Sequence, residues 1–237
     1  MKHCLVTGGS RGIGLEFTRQ FLSKGFQVFA ASRNPGDSAE LRQLKAQYED
    51  CLVISQLDVG DEESRRDCFQ TLSTHTEKLD LLINSAGILS GNEEFCYPLG
   101  ELKQDDLCRT FLINSVAPLL MVEGALPLLR NGEQPVVVNI ASDNGSISRK
   151  SHGGKYGYSA SKAALNMITR ILSVDLSPHG IVVVSLHPGW VKTTMTRNEN
   201  APLEPSESIS GMIQVLESLE MNDTGRFLDW TGREIPW

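Results

Sequence analysis

The sequence lacks the features that mark several large classes of protein. Its formal net charge is −7 over 237 residues and its basic residues are scattered, whereas proteins that bind nucleic-acid backbones carry a basic patch. No apolar run approaches the roughly 18 residues that span a bilayer. The stretch before the first glycines is too short to form a removable signal. We therefore expect a cytoplasmic protein with neither nucleic-acid nor membrane partners.

Cysteine and histidine are also scarce, with five of each. The cysteines form no C-x-x-C pair, so reduced structural thiols are expected. The histidines show no H-x-x-x-H or similar ligand spacing, so we predict no catalytic metal.

What the sequence does contain is an alternation of short apolar or β-branched runs with longer amphipathic segments. The predicted strands are His3–Thr7, Gln27–Ala31, Leu52–Leu57, Leu79–Asn84, Pro135–Ile140, Ile181–Leu186 and Arg226–Asp229. The predicted helices are Gly12–Lys24, Ser38–Tyr48, Glu62–His75, Gln104–Leu129, Tyr158–Ser177 and Ser206–Leu219. This order is typical of βαβ units, and strands that are apolar almost throughout indicate helices on both faces of the sheet. We predict one α/β domain over residues 1–237, with a doubly wound parallel sheet of about seven strands.

The first strand leads into a glycine-rich turn, Thr7-Gly8-Gly9-Ser10-Arg11-Gly12-Ile13-Gly14, and then into an amphipathic helix. Glycines let backbone amides approach a pyrophosphate, and a helix N-terminus favours its negative charge. Such a turn alone can be a plain connection. Between a first strand and a first helix it predicts a dinucleotide site formed by Gly8, Ser10, Arg11, Gly12, Ile13 and Gly14.

The end of the second strand bears on the choice of cofactor. NAD-selective proteins of this type place an acid about 20 residues after the glycines, where it binds the ribose 2′-hydroxyl. Here Ser32 and Arg33 stand instead, without an acid. Arg33, with Arg11 opposite, can meet a 2′-phosphate, so NADP(H) is predicted; the alternative is that both arginines are merely solvated.

A series of motifs now resembles the short-chain dehydrogenase/reductase family. The series is Thr7-Gly8-x-x-x-Gly12-x-Gly14, Asp58-Val59, Asn84-Ser85-Ala86-Gly87, Asn114, Ser142, Tyr158-x-x-x-Lys162 and Pro188-Gly189-x-Val191-x-Thr193. It covers nearly the whole chain in the family's order and implies a Rossmann-type fold. Within the family, the ending Phe227–Trp237 and the residues around Ser142 and Tyr158 are most similar to the sniffer and C-factor group of carbonyl reductases. Two departures are Ser85, where many members have Asn or Ala, and a longer gap between Ser142 and Tyr158.

The resemblance implies four catalytic residues. Tyr158 would donate the proton that a reduced carbonyl needs, and Lys162, one helical turn on, would favour the phenolate and lower the Tyr158 pKa together with the charge of oxidised nicotinamide. Ser142 would orient the substrate oxygen, and Asn114 would hold a water that links Lys162 to solvent. Taken singly, Ser142 could be a turn residue and Asn114 a buried amide. Tyr156 rather than Tyr158 could be the acid if the register of the motif is mistaken.

Further residues are implied for the cofactor. Asp58 would accept from the adenine amino group with Val59 beside the ring, while Asn84, Ala86 and Gly87 would line the cofactor and Pro188, Val191 and Thr193 would lie at its nicotinamide end. Tyr158 and Lys162 would contact it as well. The short polar segment from Thr194 to Pro205 favours small or varied carbonyl substrates over long apolar ones.

Two hypotheses about function follow from the sequence. The first is an NADP(H)-dependent carbonyl reductase acting on a small molecule, and the second is a regulatory or signalling protein that binds NADP(H) with little turnover.

A homodimer or homotetramer is predicted from the helix Tyr158–Ser177, whose apolar arc is broader than one sheet face needs. Its residues are Ala160, Ala163, Ala164, Met167, Ile168, Ile171 and Val174, continued by Leu165, Leu172 and Leu176. The alternative is that a neighbouring helix or the segment Trp230–Trp237 covers the excess.

Overall fold

The computed structural model describes residues 1–89, 99–195 and 200–237, and its centre is a parallel sheet of seven strands. The strands are β1 His3–Thr7, β2 Gln27–Ser32, β3 Leu52–Gln56, β4 Leu81–Asn84, β5 Val136–Ile140, β6 Val182–His187 and β7 Phe227–Asp229. Their order across the sheet is β3-β2-β1-β4-β5-β6-β7. This confirms the predicted doubly wound α/β fold.

Helices connect the strands and cover both faces. They are α1 Gly12–Ser23, α2 Ala39–Gln47, α3 Glu62–Ser73, α4 Gln104–Phe111, α5 Ala117–Leu129, α6 Tyr156–Leu176 and α7 Pro205–Ser218. Ser38 and Asp61 start α2 and α3 by accepting hydrogen bonds from the backbone amides of Leu41 and Ser64 at 3.1 and 2.7 Å, the usual role of such residues at an N-cap. Apart from the long helix, the predicted bounds agree with these to within two residues.

Two hydrophobic cores form because successive strand residues point to opposite faces. On one face Val6, Ile83 and Val184 pack with α1 and α7. On the other face their neighbours Leu5 and Leu82 pack with α3, α5 and α6. Both faces of the central strands are therefore dry, which is why those strands are apolar throughout.

The long helix predicted over Gln104–Leu129 is interrupted. A π-helical segment, Leu112–Val116, separates α4 from α5 and contains Asn114. Pro118 has no amide hydrogen, so the regular α-helical bond from residue 118 to the Asn114 carbonyl cannot form. Contrary to the expectation that no apolar run approaches transmembrane length, Gln104–Leu129 is long and apolar enough to cross a membrane, with a mean hydropathy of 1.7. Half of that window is buried inside the fold, as in the core helix of a folded domain.

Helix α6 divides its apolar residues between the core and the surface. Leu165, Leu172 and Leu176 are buried against the sheet, while Met167, Ile171 and Val174 are 62%, 53% and 63% exposed. Within the described residues, the segment Trp230–Trp237 leaves that exposed stripe uncovered.

The strand order reverses between β1 and β4, which are direct neighbours. Chains leaving these two strands diverge to opposite sides, so a crevice opens at the carboxyl edge of the sheet, the usual ligand site in open α/β folds.

Candidate active site

A cleft of about 810 Å³ lies at this carboxyl edge. It is lined by segments that follow β1 through β6, together with residues of α4 and α6. The sequence-predicted residues that line it are Gly8, Ser10, Arg11, Gly12, Ile13, Gly14, Ser32, Arg33, Asp58, Val59, Ala86, Gly87, Tyr158, Lys162, Pro188 and Thr193. The tertiary structure therefore brings most of the predicted site into one continuous cavity.

Three positions of the glycine turn, at one end of the cleft, favour glycine over any larger residue. Gly8 and Gly12 have φ values of +69° and +55°, in the left-handed region that favours glycine. A Cβ at Gly14 would lie 2.3 Å from the Gly8 carbonyl oxygen. Helix α1 starts here without a side-chain cap and without an acid in its first turn, so its first amides are available to an anion.

Polar groups at the end of β2 and in the glycine turn lack partners among the described residues. The Ser32 hydroxyl is buried and has no hydrogen-bond partner among the described residues. Arg11 and Arg33 form no ion pair with a described residue. A phosphorylated ribose between them would satisfy both features.

Next to it, Asp58 belongs to the turn that leads into α3. Its Oδ1 accepts a hydrogen bond from the Gly60 amide at 2.9 Å, and its own amide donates to Ser64 Oγ at 2.9 Å. Val59 is buried beside it. Asp58 and Val59 both line the cleft, and the apolar side chain of Val59 suits contact with an aromatic base.

The opposite end of the cleft contains the candidate acid–base group. Tyr158 and Lys162 lie one turn apart on α6, and Lys162 Nζ lies 5.9 Å from the centroid of the Tyr158 ring. Ser142, which follows β5, lies near enough to the Tyr158 side chain to lower its pKa, but it is not among the described residues that line the cleft. Tyr156 is 41% exposed and is not among the cleft-lining residues. Of the two tyrosines, Tyr158 is therefore the one that lines the cleft.

Residues 2–204 match the short chain dehydrogenase family. The chain belongs to this family. The protein "C-signal" of Myxococcus xanthus is 44% identical over 162 residues, which are 68% of this chain and 95% of that protein.

Solved structures of the same family superpose on the whole chain. A carbonyl reductase from chicken fatty liver, crystallised with NADPH, has 35% identity and a TM-score of 0.91 and covers 100% of this chain and 99% of its own. The carbonyl reductase Sniffer of D. melanogaster has 30% identity and a TM-score of 0.93, with complete coverage of both chains. The resemblance to the sniffer and C-factor group is thereby confirmed.

Burial dominates the titration of the dehydrogenase's candidate acid–base group. It raises the pKa of Tyr158 above its ordinary value; the hydrogen bond with Ser142 opposes this, and the charge of Asp143 adds to it. Burial also lowers the pKa of Lys162 to about 8. The expected lowering of the Tyr158 pKa is thus absent in the protein alone, because removal of the phenol from water is the largest effect.

Lys162 is held by the sheet. Its Nζ donates to the Ile140 carbonyl oxygen at 2.7 Å, and no carboxylate of a described residue lies within 4.0 Å of it. Gly87 faces it closely enough that a Cβ there would lie 3.9 Å from Nζ and 3.4 Å from Asn114 Oδ1.

Asn114 is buried behind the cleft and uses its whole side chain in local contacts. Oδ1 accepts from the Ile88 amide at 2.8 Å, and Nδ2 donates to the Ile88 carbonyl at 2.9 Å and to Ser161 Oγ at 3.1 Å. These bonds fix the loop after β4 to the π-helical segment. Pro118 has no amide hydrogen and so cannot donate to the backbone carbonyl of Asn114. That carbonyl is therefore the group of Asn114 to which a water could bond.

Asn84 and Val191 lie outside the cleft lining. Asn84 Nδ2 donates to Asn139 Oδ1 at 2.9 Å and to the Pro118 carbonyl at 3.3 Å, so its side chain joins strands. The loop after β4 is shaped instead by Thr7, whose Oγ1 accepts from the amides of residues 85 and 86 at 3.1 Å each. Val191 is buried and pairs with Leu203 in a parallel bridge.

The methyl group of Thr193, in the segment after β6, lies 3.5 Å from where a Cβ of Gly12 would be. Thr193 thus closes the cleft against the glycine turn. The predicted polar segment after Thr194 includes residues 196–199, which lie outside the described residues.

Some cleft residues were missed by sequence reasoning. Arg109 of α4 lines the cavity, as do Asp37 and Glu40, which follow β2 just after Arg33. Outside the cleft lining, Asp143 accepts from Ser142 Oγ at 3.2 Å. Only Asp37 had a signal, its position shortly after the second strand; the others depend on how distant segments pack.

The lowered pKa of Lys162 has a consequence for stability. Between about pH 8 and the ordinary value of 10.5, the unfolded chain holds a proton on Lys162 that the folded chain has released. Stability rises with pH wherever the unfolded state binds more protons. We expect the free energy of unfolding of the wild type, relative to Lys162→Met, to increase across this range by at most about 3 kcal/mol.

Urea unfolding at pH 7, 8.5 and 10 measures this difference. Lys24→Met removes an exposed lysine and serves as the control, with a difference that stays flat above pH 8. A wild-type advantage over Lys162→Met that falls with rising pH would contradict the burial argument.

Proposed function

We propose that this protein is an NADP(H)-dependent oxidoreductase that interconverts a carbonyl and an alcohol, with Tyr158 as acid and base. The observation that carries the proposal is the placement of Tyr158 and Lys162 one turn apart on α6, with Lys162 Nζ 5.9 Å from the phenol ring centroid, in a cleft that also contains an uncapped glycine turn. We further infer that residues 1–237 act as one domain of a cytoplasmic protein.

The cofactor supplies or accepts the hydride when bound. The chain provides the rest: Ser142 orients the substrate oxygen, and Tyr158 gives it a proton during reduction or removes one during oxidation. Lys162, with its pKa of about 8, exchanges protons near neutrality and contacts the cofactor ribose. The carbonyl of Asn114 holds the water through which that proton reaches solvent.

The cradle for the dinucleotide fits NADP(H). Gly8, Ser10 and the first turn of α1 receive the pyrophosphate, while Arg11, Ser32 and Arg33 bind the 2′-phosphate. The turn at Asp58 and Val59 holds the adenine, Ala86 and Gly87 line the middle, and Pro188 and Thr193 lie at the nicotinamide. The NADPH in the related chicken enzyme supports this choice, and small carbonyl compounds are the proposed substrates.

A binding protein with little turnover is the less favoured alternative. Such a protein needs the glycine turn but not the acid–base group. The position of Lys162 beside the phenol ring of Tyr158, with Ser142 near enough to lower the Tyr158 pKa, favours catalysis.

Replacing Tyr158 with Phe removes the proton donor and keeps the ring. We expect kcat for carbonyl reduction to fall at least about a hundredfold, with NADPH binding retained. Steady-state NADPH oxidation with a panel of small aldehydes and ketones measures kcat, and fluorescence titration measures binding. Tyr156→Phe, two residues away and exposed, is the matched control; near-normal turnover in Tyr158→Phe would refute the role.

Replacing Arg33 with Ala removes one of the two cations proposed for the 2′-phosphate. NADPH binding should weaken by roughly 1–3 kcal/mol, the range for a charge-assisted hydrogen bond, and NADH binding should change little. Arg66→Ala, on the exposed side of α3, is the control. Equal losses for NADPH and NADH in calorimetric titrations would rule out the proposed contact.

We also propose that the protein is a homodimer formed through α6 and the long helix beside it. Two exposed apolar stripes run side by side, each with the spacing i, i+4, i+7 of one helix face. They are Met167, Ile171 and Val174 on α6, and Leu112, Val116 and Leu119 on the neighbouring helix. The two helices are in contact, since Ser115 Oγ donates to the Ser161 carbonyl at 2.7 Å. Pairing of two copies about a two-fold axis covers both stripes at once.

Light scattering at micromolar concentration should give twice the chain mass of 26.0 kDa. Ile171→Asp places a charge in the stripe and should yield the monomer mass. Met221→Asp, an exposed methionine outside both stripes, should leave the dimer intact. A wild-type mass of 26.0 kDa, with and without NADPH, would exclude the interface.

A further inference from the structure

Residues 142–149, called here the serine loop, are wedged against α6. A Cβ on Gly145 would lie 2.8 Å from the Lys162 carbonyl carbon, so this glycine permits an unusually close approach. Asn166 Nδ2 donates to the Gly145 carbonyl at 3.4 Å. The inner side of the loop therefore follows the position of α6 at Lys162.

The other side of the serine loop is bonded to residues far along the chain. Ser146 Oγ donates to the Pro236 carbonyl at 2.5 Å. Ser148 donates twice to the Trp237 carbonyl, from its amide at 3.0 Å and its hydroxyl at 2.6 Å. The serine loop is thus clamped between α6 and the segment 235–237.

The segment 235–237 is itself anchored to the sheet. The Trp237 ring stacks on Phe227 of β7 at 5.6 Å between centroids and 24° between planes. The Ile235 amide donates to the Phe227 carbonyl at 2.7 Å. Ile235 and Phe227 form a buried cluster with Ala141, the residue directly before Ser142.

Ser142 has few other constraints on its position. Its Oγ donates to Asp143 at 3.2 Å and accepts from the Asn144 amide at 3.2 Å. Both partners belong to the serine loop, so they move with it and cannot hold it in place. On its N-terminal side Ser142 follows Ala141, whose amide donates to the Leu186 carbonyl of β6 at 2.8 Å. On its C-terminal side its position relative to Tyr158 depends on the pair of contacts at the loop's two sides.

We infer that the segment 235–237 is a positioning element for Ser142, which it holds beside Tyr158 by clamping the serine loop against α6. The inference rests on the proposed function, because it assigns Ser142 a part in the reaction. Small displacements of a reacting group cost large factors in rate, so release of the clamp should lower kcat more than it lowers cofactor binding.

The test uses Trp237→Ala, which removes the stack on Phe227, and Ser146→Ala, which removes one bond of the clamp. We expect kcat for carbonyl reduction to fall about tenfold in each, with the Kd for NADPH unchanged. Trp237→Phe keeps a stacking ring and should restore most of the rate. Arg233→Ala, whose side chain bonds to Asp229 and Thr231 and to no other described residue, is the control and should keep the wild-type kcat.

A double-mutant cycle with Ser142→Ala separates positioning from general destabilisation. If the segment acts through Ser142, Trp237→Ala should lower kcat no further once Ser142→Ala is present. Equal fractional losses with and without the Ser142 hydroxyl would overturn the inference. If Trp237→Ala does not fold, Ser146→Ala takes its place in the cycle.

The cycle also distinguishes failure of the inference from failure of the proposed function. A wild-type protein that oxidises no NADPH with any carbonyl of the panel would overturn the proposed function. A Ser142→Ala variant with wild-type kcat would remove Ser142 from the reaction and overturn the inference while leaving the proposed function standing. A slow Ser142→Ala variant beside fast Trp237→Ala and Ser146→Ala variants would overturn the positioning role alone.

Discussion

The burial of the Lys162 ammonium is the constraint around which the cleft is arranged. A cation removed from water without a carboxylate is costly, and here the Ile140 carbonyl is its one short contact among the described residues, at 2.7 Å. That bond ties α6 to the end of β5, one residue before Ala141 and two before Ser142. The same burial lowers the Lys162 pKa to about 8, so the group that anchors the helix can also lose and regain a proton near neutrality.

A buried polar ladder keeps α6 in register with the sheet. Asn139 of β5 accepts from Asn84 of β4 and donates to Thr169 of α6, both at 2.9 Å. Ser185 of β6 donates to the same Thr169 hydroxyl at 3.0 Å. Apolar side chains alone would let the helix slide along the strands, whereas these directed bonds admit one position, and that position determines where Tyr158 and Lys162 meet the cleft.

The interruption of the long helix also helps to position residues near Lys162. Pro118 and the side chain of Asn114 together produce the π-helical segment, since one removes a backbone donor and the other binds both backbone groups of Ile88. The segment brings Asn114 and Gly87 close to Lys162. Local departures from α-helical geometry often lie at functional sites, and here the departure opens a backbone carbonyl beside the proposed proton path.

The sequence by itself determined the order of elements, the glycine turn and the family. Alternating apolar runs and amphipathic segments are local properties, and so is the spacing of Tyr158 and Lys162 on one helix face. The series of motifs and the residues after the second strand likewise named half of the described residues that line the cleft. These features could be predicted because each depends on residues close together in the chain.

Only the tertiary structure decided which segments meet. Asn84 turned toward Asn139, Arg109 reached the cleft from α4, Asp143 bonded to Ser142, and Trp237 came to lie beside Phe227 and the serine loop. The Tyr158 pKa is raised although the lysine alone suggested the reverse. In each case the outcome depends on burial and on contacts between residues far apart in sequence, and neither is contained in local periodicity.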